Sequence, residues 1–366
     1  MPAMTDTEPE RGLPHPGLPP HGLPPHGLPP NGLPAIVWVG FAISAAFLAY
    51  FFKDVAWREL ARVLGRAKYI YLLPSLALLL CTYPIRAFRW YYLLPRLPGS
   101  TFRNRFSATV IGFMASSIFP LRAGEVVRAA LFSVRSGIPI GISFASILLE
   151  RVFDLIVVLM GLGVCLAAFP GAADAGSLAL ARKAGMILGA IVVLIVLFLA
   201  LLKASPRLVR VPLRSILTLL PSQVAERIEK IVNSIVEGLT VIGSPWEVMG
   251  ILALSIGHWS VVVLANWVAA MSFEDLHLSP IGALLMFTFT SLAVALPQAP
   301  GFLGVYNVAV EESLKLLGAP VTPAKGFALL WWTMSIVPVT VLGFLVMWLE
   351  GMNLAQVSAA RHQAKD

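Results

Sequence analysis

The sequence predicts an all-α polytopic membrane protein: about six full transmembrane helices plus two re-entrant helical hairpins, arranged as inverted-topology repeats. Three observations lead there. Of 366 residues 58% are hydrophobic and 13% charged, whereas a soluble domain needs about 25% charged residues to cover its surface. Several apolar runs reach the roughly 20 residues that a bilayer core demands. Two further runs fall short of that length and are broken by proline and glycine at matching places.

Residues 1–34 are a separate material. HPGLPPHGLPPHGLPPNGLP repeats a Gly-Leu-Pro unit, a composition that favours extended polyproline II and builds no core. His15, His21 and His26 could bind a metal, but a solvated tail with incidental histidines is the simpler reading. The segment has neither the basic start nor the cleavage site of a signal peptide. It reads as a disordered Pro/Gly/His-rich tail preceding a membrane domain over residues 35–351, with a polar cytoplasmic tail at 352–366.

The first span is Ala35–Phe52. KDVAWRELARVLGRAK then sets Val55, Leu60, Val63 and Leu64 on one helical face with cations around the rest, the pattern of a helix lying on the membrane. Tyr69–Leu94 is the second span, with Pro74 and Pro84 expected to bend it. Arg86 and Arg89, near its end, are expected to snorkel to the headgroups. Phe106–Phe119 is too short to cross, and Val126–Val134 resumes a helix after Pro120 and Gly124, Pro120 ending one half-helix and Gly124 allowing the turn. Ile138–Phe169 and Ala184–Leu202 are spans, and Ser222–Leu239 is an amphipathic helix. Val248–Met271 crosses next. Pro280–Leu296, the break PQAPGFLG and Val305–Leu317 repeat the broken pattern before a last span, Phe327–Leu349.

The halves correspond. Pro120 and Gly124 match Pro297 and Gly301 in spacing, and the turns SGIP and LGAP precede the two closing spans. Repeat 1 covers about 54–169 and repeat 2 about 222–350. Paired broken segments in two halves point to a transporter-type site, so Pro120, Gly124, Pro297, Pro300, Gly301 and Gly304 are the expected hairpin breaks. The net charge of +8 is spread over connections between spans rather than on one soluble face, which argues against nucleic acid. The positive-inside bias orients the chain with both termini cytoplasmic. It keeps the cations from Lys203 to Lys230 inside only if the first broken segment re-enters, and it leaves Lys53, Lys68 and Lys325 outside. Cys81 and Cys165 lie in apolar segments as packing residues.

Arg122, Glu125 and Arg128 fall within seven residues, while Glu150 and Asp154 share a helical face with Arg151 beside them. Ions at membrane depth face a bundle interior or water. Two readings of the six stand together. One is an arginine–carboxylate network pinning the hairpin to the next span. The other is a pair of guanidinium forks for a phosphate. His258 and Asn266 read as interhelical hydrogen-bonding residues.

FPLRAGEVVR, ILLERVFDLIVVL and PQAPGFLGVY, in that order, resemble the lysylphosphatidylglycerol synthase transmembrane-region family of flippase-like membrane proteins. The resemblance covers roughly Ala35–Gly351. It implies a lipid-translocating module without the soluble aminoacyl-transferase domain of the bifunctional members. The family's late motif has a Gly-Gly pair followed by an acid. Here Phe302 stands at the second glycine, Asn307 at the acid, and Glu311 one turn on.

The expectation is a flippase-like protein of the cell (inner) membrane that moves or binds a lipid with an anionic, phosphate-bearing headgroup. A lipid-biosynthesis enzyme is a second candidate partner. The alternatives are an intramembrane lipid-modifying enzyme and a non-transporting partner in an envelope lipid pathway. No Ser/His/Asp set, metal-binding histidine cluster or aspartate-rich motif is found, so no catalytic residue, metal or cofactor is expected. Two carboxylates, Glu150 and Asp154, are weak grounds for a divalent ion.

Overall fold

The computed structural model describes residues 35–53, 55–95, 98–119, 123–168, 244–294 and 299–353, with scattered positions between 183 and 197. Every regular element among them is helical. The tail 1–34, Pro120, Arg122, Pro297, the amphipathic segment 222–239, the cations from Lys203 to Lys230 and the tail from 354 onward lie outside the described residues, as does most of 184–202.

Helix α1 (Ala35–Phe52) turns through 85° into α2 (Trp57–Arg66). Leu60 of α2 is buried, Val63 and Leu64 are half-buried, and Arg58, Arg62 and Arg66 are exposed, as an interfacial helix requires. A short 3₁₀ turn, Tyr69–Tyr71, leads into α3 (Leu72–Tyr91). Pro74 falls in the first turn of α3, where a missing N–H costs nothing; Pro84 lies inside the helix.

Helix α4 (Phe102–Ile118) begins at Thr101, whose side chain accepts from the Asn104 backbone N–H at 3.2 Å. It packs along α5 (Ala123–Ser136). The two ends of this pair meet: Asn104 Nδ2 donates to Gly99 O at 2.9 Å and Arg135 O at 3.5 Å. Gly137, with φ +70°, closes α5 and leads through Pro139 into α6 (Ile140–Ala168).

Helix α7 (Pro245–Ala270) is capped by Ser244, which accepts from Glu247 N at 3.3 Å. After it come α8 (Pro280–Val294), a 3₁₀ turn at Pro300–Phe302, and α9 (Val305–Leu316). Gly318, with φ +83°, closes α9 as Gly137 closes α5, and α10 (Val321–Leu349) follows Pro320. Both closing helices, α6 and α10, have 29 residues.

Among the described residues four helical stretches are long and apolar enough to cross a membrane: Tyr69–Tyr91, Ile140–Ala168, Trp246–Ala270 and Val321–Leu349. The bent α1–α2 pair would raise the number to five. Six were expected, and the difference falls on 184–202. Helices α4 and α8, with 17 and 15 residues, are shorter than the roughly 20 residues of a typical span.

The packing is reciprocal. Helix α3 packs on α7, α4 on α10 and α8 on α6; α3 also meets α10 as α7 meets α6. Two apolar cores form, one around Trp90, Met114, Phe132 and Ile147, the other around Phe273, Met286, Phe327 and Trp331; Ile251 and Met347 join the first, and Leu78 and Leu79 pack against the second.

One expected glycine role changes. Gly124 lies inside α5 without a left-handed backbone. A Cβ there would stand 1.9 Å from Gly112 O and 2.6 Å from Ser116 N, so its missing side chain lets α5 touch the α4 backbone. In the second break glycine does make the turn. Gly301 has φ +69° and Gly304 φ +92°, values that L side chains disfavour. Phe302 sits beside them at φ +59°, a left-handed conformation costing about 1–2 kcal/mol at the position where the resembling family carries its second glycine.

Lys325 is also moved. The last helix starts at Val321, which puts Lys325 in its second turn, 6% exposed, rather than in an outer loop. Its ammonium donates to the carbonyls of Phe51 and, at 3.3 Å, Lys53, and stands 3.7 Å from Glu311 Oε1. It therefore ties the C-terminal end of α1 to α10, where backbone carbonyls lack helical partners.

Candidate functional site

A buried ionic cluster is fed by three helices. Helix α3 contributes Arg86 and Arg89, α5 contributes Glu125 and Arg128, and α6 contributes Glu150, Arg151 and Asp154. Glu150 is the hub and is fully buried. Its Oε1 lies 3.0 Å from Arg89 Nη2 and 3.3 Å from Arg86 Nη1, and its Oε2 lies 2.9 Å from Arg128 Nη2. One turn on, Asp154 Oδ1 accepts from Arg89 Nη1 at 2.7 Å and from Trp259 Nε1 of α7 at 2.9 Å. Arg151 spans the edge: Nε is 2.9 Å from Glu125 Oε1, and Nη1 donates to Asp154 Oδ2 at 3.2 Å.

Five of the six residues singled out from the sequence therefore sit together: Glu125, Arg128, Glu150, Arg151 and Asp154. Arg122 is outside the described residues. The burial is graded. Glu150 and Arg89 are sealed, while Glu125 and Arg151 keep 25% and 32% of their side-chain surface exposed. The outer pair forms the exposed lip of the cluster.

Sequence reasoning missed Arg86 and Arg89. They do not snorkel; they are 6% and 0% exposed and turn inward. A signal was present. Ser75, Thr82, Arg86 and Arg89 are spaced by seven, four and three, one helical face, and all four are buried. A polar stripe on an apolar span marks the side that faces protein. His258 and Asn266 were expected to bond between helices. Both are buried, yet neither His258 ring nitrogen nor Asn266 Oδ1 finds a hydrogen-bond partner among the described residues.

The charge is unbalanced. Arg86, Arg89, Arg128 and Arg151 face Glu125, Glu150 and Asp154, leaving one positive charge in excess among the described residues. Arg128 is the least committed of the four. Its guanidinium carbon lies 3.9 Å from the Trp90 ring centre, and its Nη2 forms an ion pair with Glu150 Oε2 at 2.9 Å. None of its side-chain nitrogens has a hydrogen-bond partner among the described residues. A buried guanidinium with unused N–H donors suits an oxyanion. The carboxylates are already engaged by arginines, so Glu150 and Asp154 offer little to a divalent ion.

The 3₁₀ turn Pro300–Phe302 packs against α4. A Cβ on Gly301 would stand 3.6 Å from Ser117 O at the end of α4. Trp332 Nε1 donates to Gly301 O at 2.7 Å. Asn307 takes the cap of α9: its Oδ1 accepts from Gly304 N at 3.1 Å, and its Nδ2 donates to Ala328 O at 3.2 Å. An amide makes both bonds, whereas a carboxylate at the acid's place could only accept. Glu311 does not replace that acid at the break; it lies on α9 paired with Lys325.

Among known proteins, the chain is similar to Glycosyltransferase AglD of Haloferax volcanii, 28% identical over 298 residues, which cover 74% of this chain and 47% of that protein. The chain thus spans about half the length of the curated relative it matches. No solved structure gives a significant match. The family model described as the lysylphosphatidylglycerol synthase TM region matches residues 37–343. That range holds every residue of the ionic cluster and both breaks, and the chain belongs to the lysylphosphatidylglycerol synthase transmembrane-region family.

Proposed function

We propose that this protein is a flippase-like transporter that binds a lipid with an anionic, phosphate-bearing headgroup and moves it across the membrane. The observation that carries the reading is the buried arginine cluster with one positive charge in excess, in a bundle where the second break, at Gly301, meets the end of α4. An apolar pathway rejects a phosphate unless charge-assisted hydrogen bonds replace its water. In the empty state Glu150 and Asp154 hold the guanidinium groups; an entering phosphate takes up donors that Arg128 leaves unused. On this reading the protein is a transporter and not an enzyme, and a lipid-biosynthesis enzyme is its natural supplier.

The reciprocal packing supports inverted repeats of about 54–169 and 222–350, each with a re-entrant hairpin. The ends of α4–α5 meet Glu350 beyond α10: Arg135 Nη2 lies 2.5 Å from its Oε2. The α2–α3 connection meets the α7–α8 connection through Lys68 N donating to Ser272 O at 2.8 Å and Lys68 Nζ 2.8 Å from Glu274. Connections thus gather at two separate ends, and the hairpins would enter from opposite faces of the cell membrane with both termini cytoplasmic. In a background lacking Cys81 and Cys165, an impermeant maleimide added to intact cells should label Glu274→Cys and not Arg103→Cys. Labelling of the second would sink the topology.

The transport test is reconstitution in liposomes with a fluorescent anionic phospholipid and a zwitterionic control. Arg128→Lys keeps the charge but loses the fork. Its translocation rate should fall about tenfold, the size of one charge-assisted hydrogen bond, with little change in melting temperature. Equal rates for the variant and the wild type would reduce the cluster to a set of internal struts.

A further inference from the structure

Beside the cluster, on the side facing α7 and α10, is a cavity of about 120 Å³. That is room for about four waters, far too small for a lipid. Its wall is apolar except for Thr82, Tyr83, Arg86, His258 and Ser335. Two of these are spent within the protein: Thr82 Oγ donates to Leu79 O, and Ser335 Oγ donates to Trp331 O and pairs with Tyr306. Arg86 and His258 are not. Only Nη1 of Arg86 hydrogen-bonds a described residue, leaving Nε and Nη2 without one. His258 is fully buried with neither ring nitrogen partnered.

A buried imidazole without a hydrogen bond is unfavourable and needs an explanation. The groups that remain at this wall are a guanidinium, an imidazole and the Tyr83 hydroxyl, each able to donate a hydrogen bond. Such a wall complements an anion and repels a cation. The rings of Phe113 and Trp259, 5.0 and 4.9 Å from the Arg86 guanidinium carbon, fix that side chain over the cavity. We infer that the cavity is a binding site for one phosphate-sized oxyanion, held between Arg86 and His258. Arg86 also touches Glu150 and Asp154, so an anion here loosens the same carboxylates that restrain Arg89 and Arg128. The inference rests on the lipid-headgroup reading above for the carrier of that anion, and it supplies that reading with a second phosphate position.

The test is equilibrium binding to the full-length protein in a neutral detergent, with inorganic phosphate in one arm and a short-chain phosphatidic acid in the other. The readouts are thermal stabilisation and the ¹⁵N resonance of His258, one of six histidines, assigned by its loss in His258→Gln. Saturable stabilisation with a shifted His258 signal is expected in at least one arm, and affinity should weaken about tenfold in His258→Gln. Response in both arms identifies the phosphate group as the ligand; response in the lipid arm only identifies a headgroup that needs its chain. No saturable shift of His258 in either arm overturns the inference, and that readout needs only the wild-type fold. If the resonance shifts but His258→Gln binds as tightly, the inference is equally overturned. The liposome assay is separate: transport without binding here would leave the proposed function standing and remove this site.

Discussion

Replacing Glu150 by glutamine should lower the melting temperature of the detergent-solubilised protein by on the order of 10 °C. Glutamine has almost the same shape, so the effect is electrostatic. The carboxylate meets Arg86, Arg89 and Arg128 within 3.3 Å and is fully buried. Without its charge, three guanidinium groups face one another in a space that excludes water, and the positive excess of the cluster rises from one to two. Breaking a buried ion pair costs about 3–5 kcal/mol because the orphaned charge has nowhere to go. Removing an arginine as well should restore much of the loss. Glu150→Gln combined with Arg128→Met returns the excess to one and should melt above the single Glu150 variant. A Glu150→Gln protein that melts with the wild type would mean that the cluster is hydrated, and the buried hub would be wrong.

That hub was half legible in the sequence. Glu150, Arg151 and Asp154 stand out because ions interrupt an apolar run, and their spacing places them on one turn of helix. Arg128 and Glu125 follow from their nearness to the break. Arg86 and Arg89 are equally rare in kind, but they sit near the end of their run, where a long side chain has two affordable destinations, the headgroups or the bundle. Spacing gives the face and not what covers it; only the packing of α3 against α7 and α4 decides. The spans were legible for a similar reason, since the length of an apolar run is set by the bilayer itself. Lys325 was misplaced because its run looked as if it began at Phe327. A helix can start earlier when its first turns find partners, here the carbonyls of Phe51 and Lys53 and the carboxylate of Glu311.

Gly124 was singled out for the wrong reason, and its true role gives the second large effect. The break before α5 suggested a turn glycine, for which alanine would cost about 1–2 kcal/mol of backbone strain. Instead Gly124 is helical, and an added Cβ would meet Gly112 O at 1.9 Å, Ser116 Oγ at 2.2 Å and Ser116 N at 2.6 Å. Two of those atoms are backbone, so no rotamer change relieves the overlap; α5 must move away from α4. Overpacking of this kind costs about 1–3 kcal/mol and sometimes more. The displacement also reaches the site, because α5 carries both Glu125 and Arg128, each 2.9 Å from its partner on α6. Gly124→Ala should therefore melt well below the wild type and transport poorly. Gly163→Ala on α6 is the control. A Cβ there meets nothing within 4 Å, and helix propensity favours alanine by about 0.8–1.0 kcal/mol, so that variant should melt with the wild type or above it. If the two alanine variants melt alike, α4 and α5 are not in backbone contact, and the close seating of Arg128 on Glu150 loses its mechanical support.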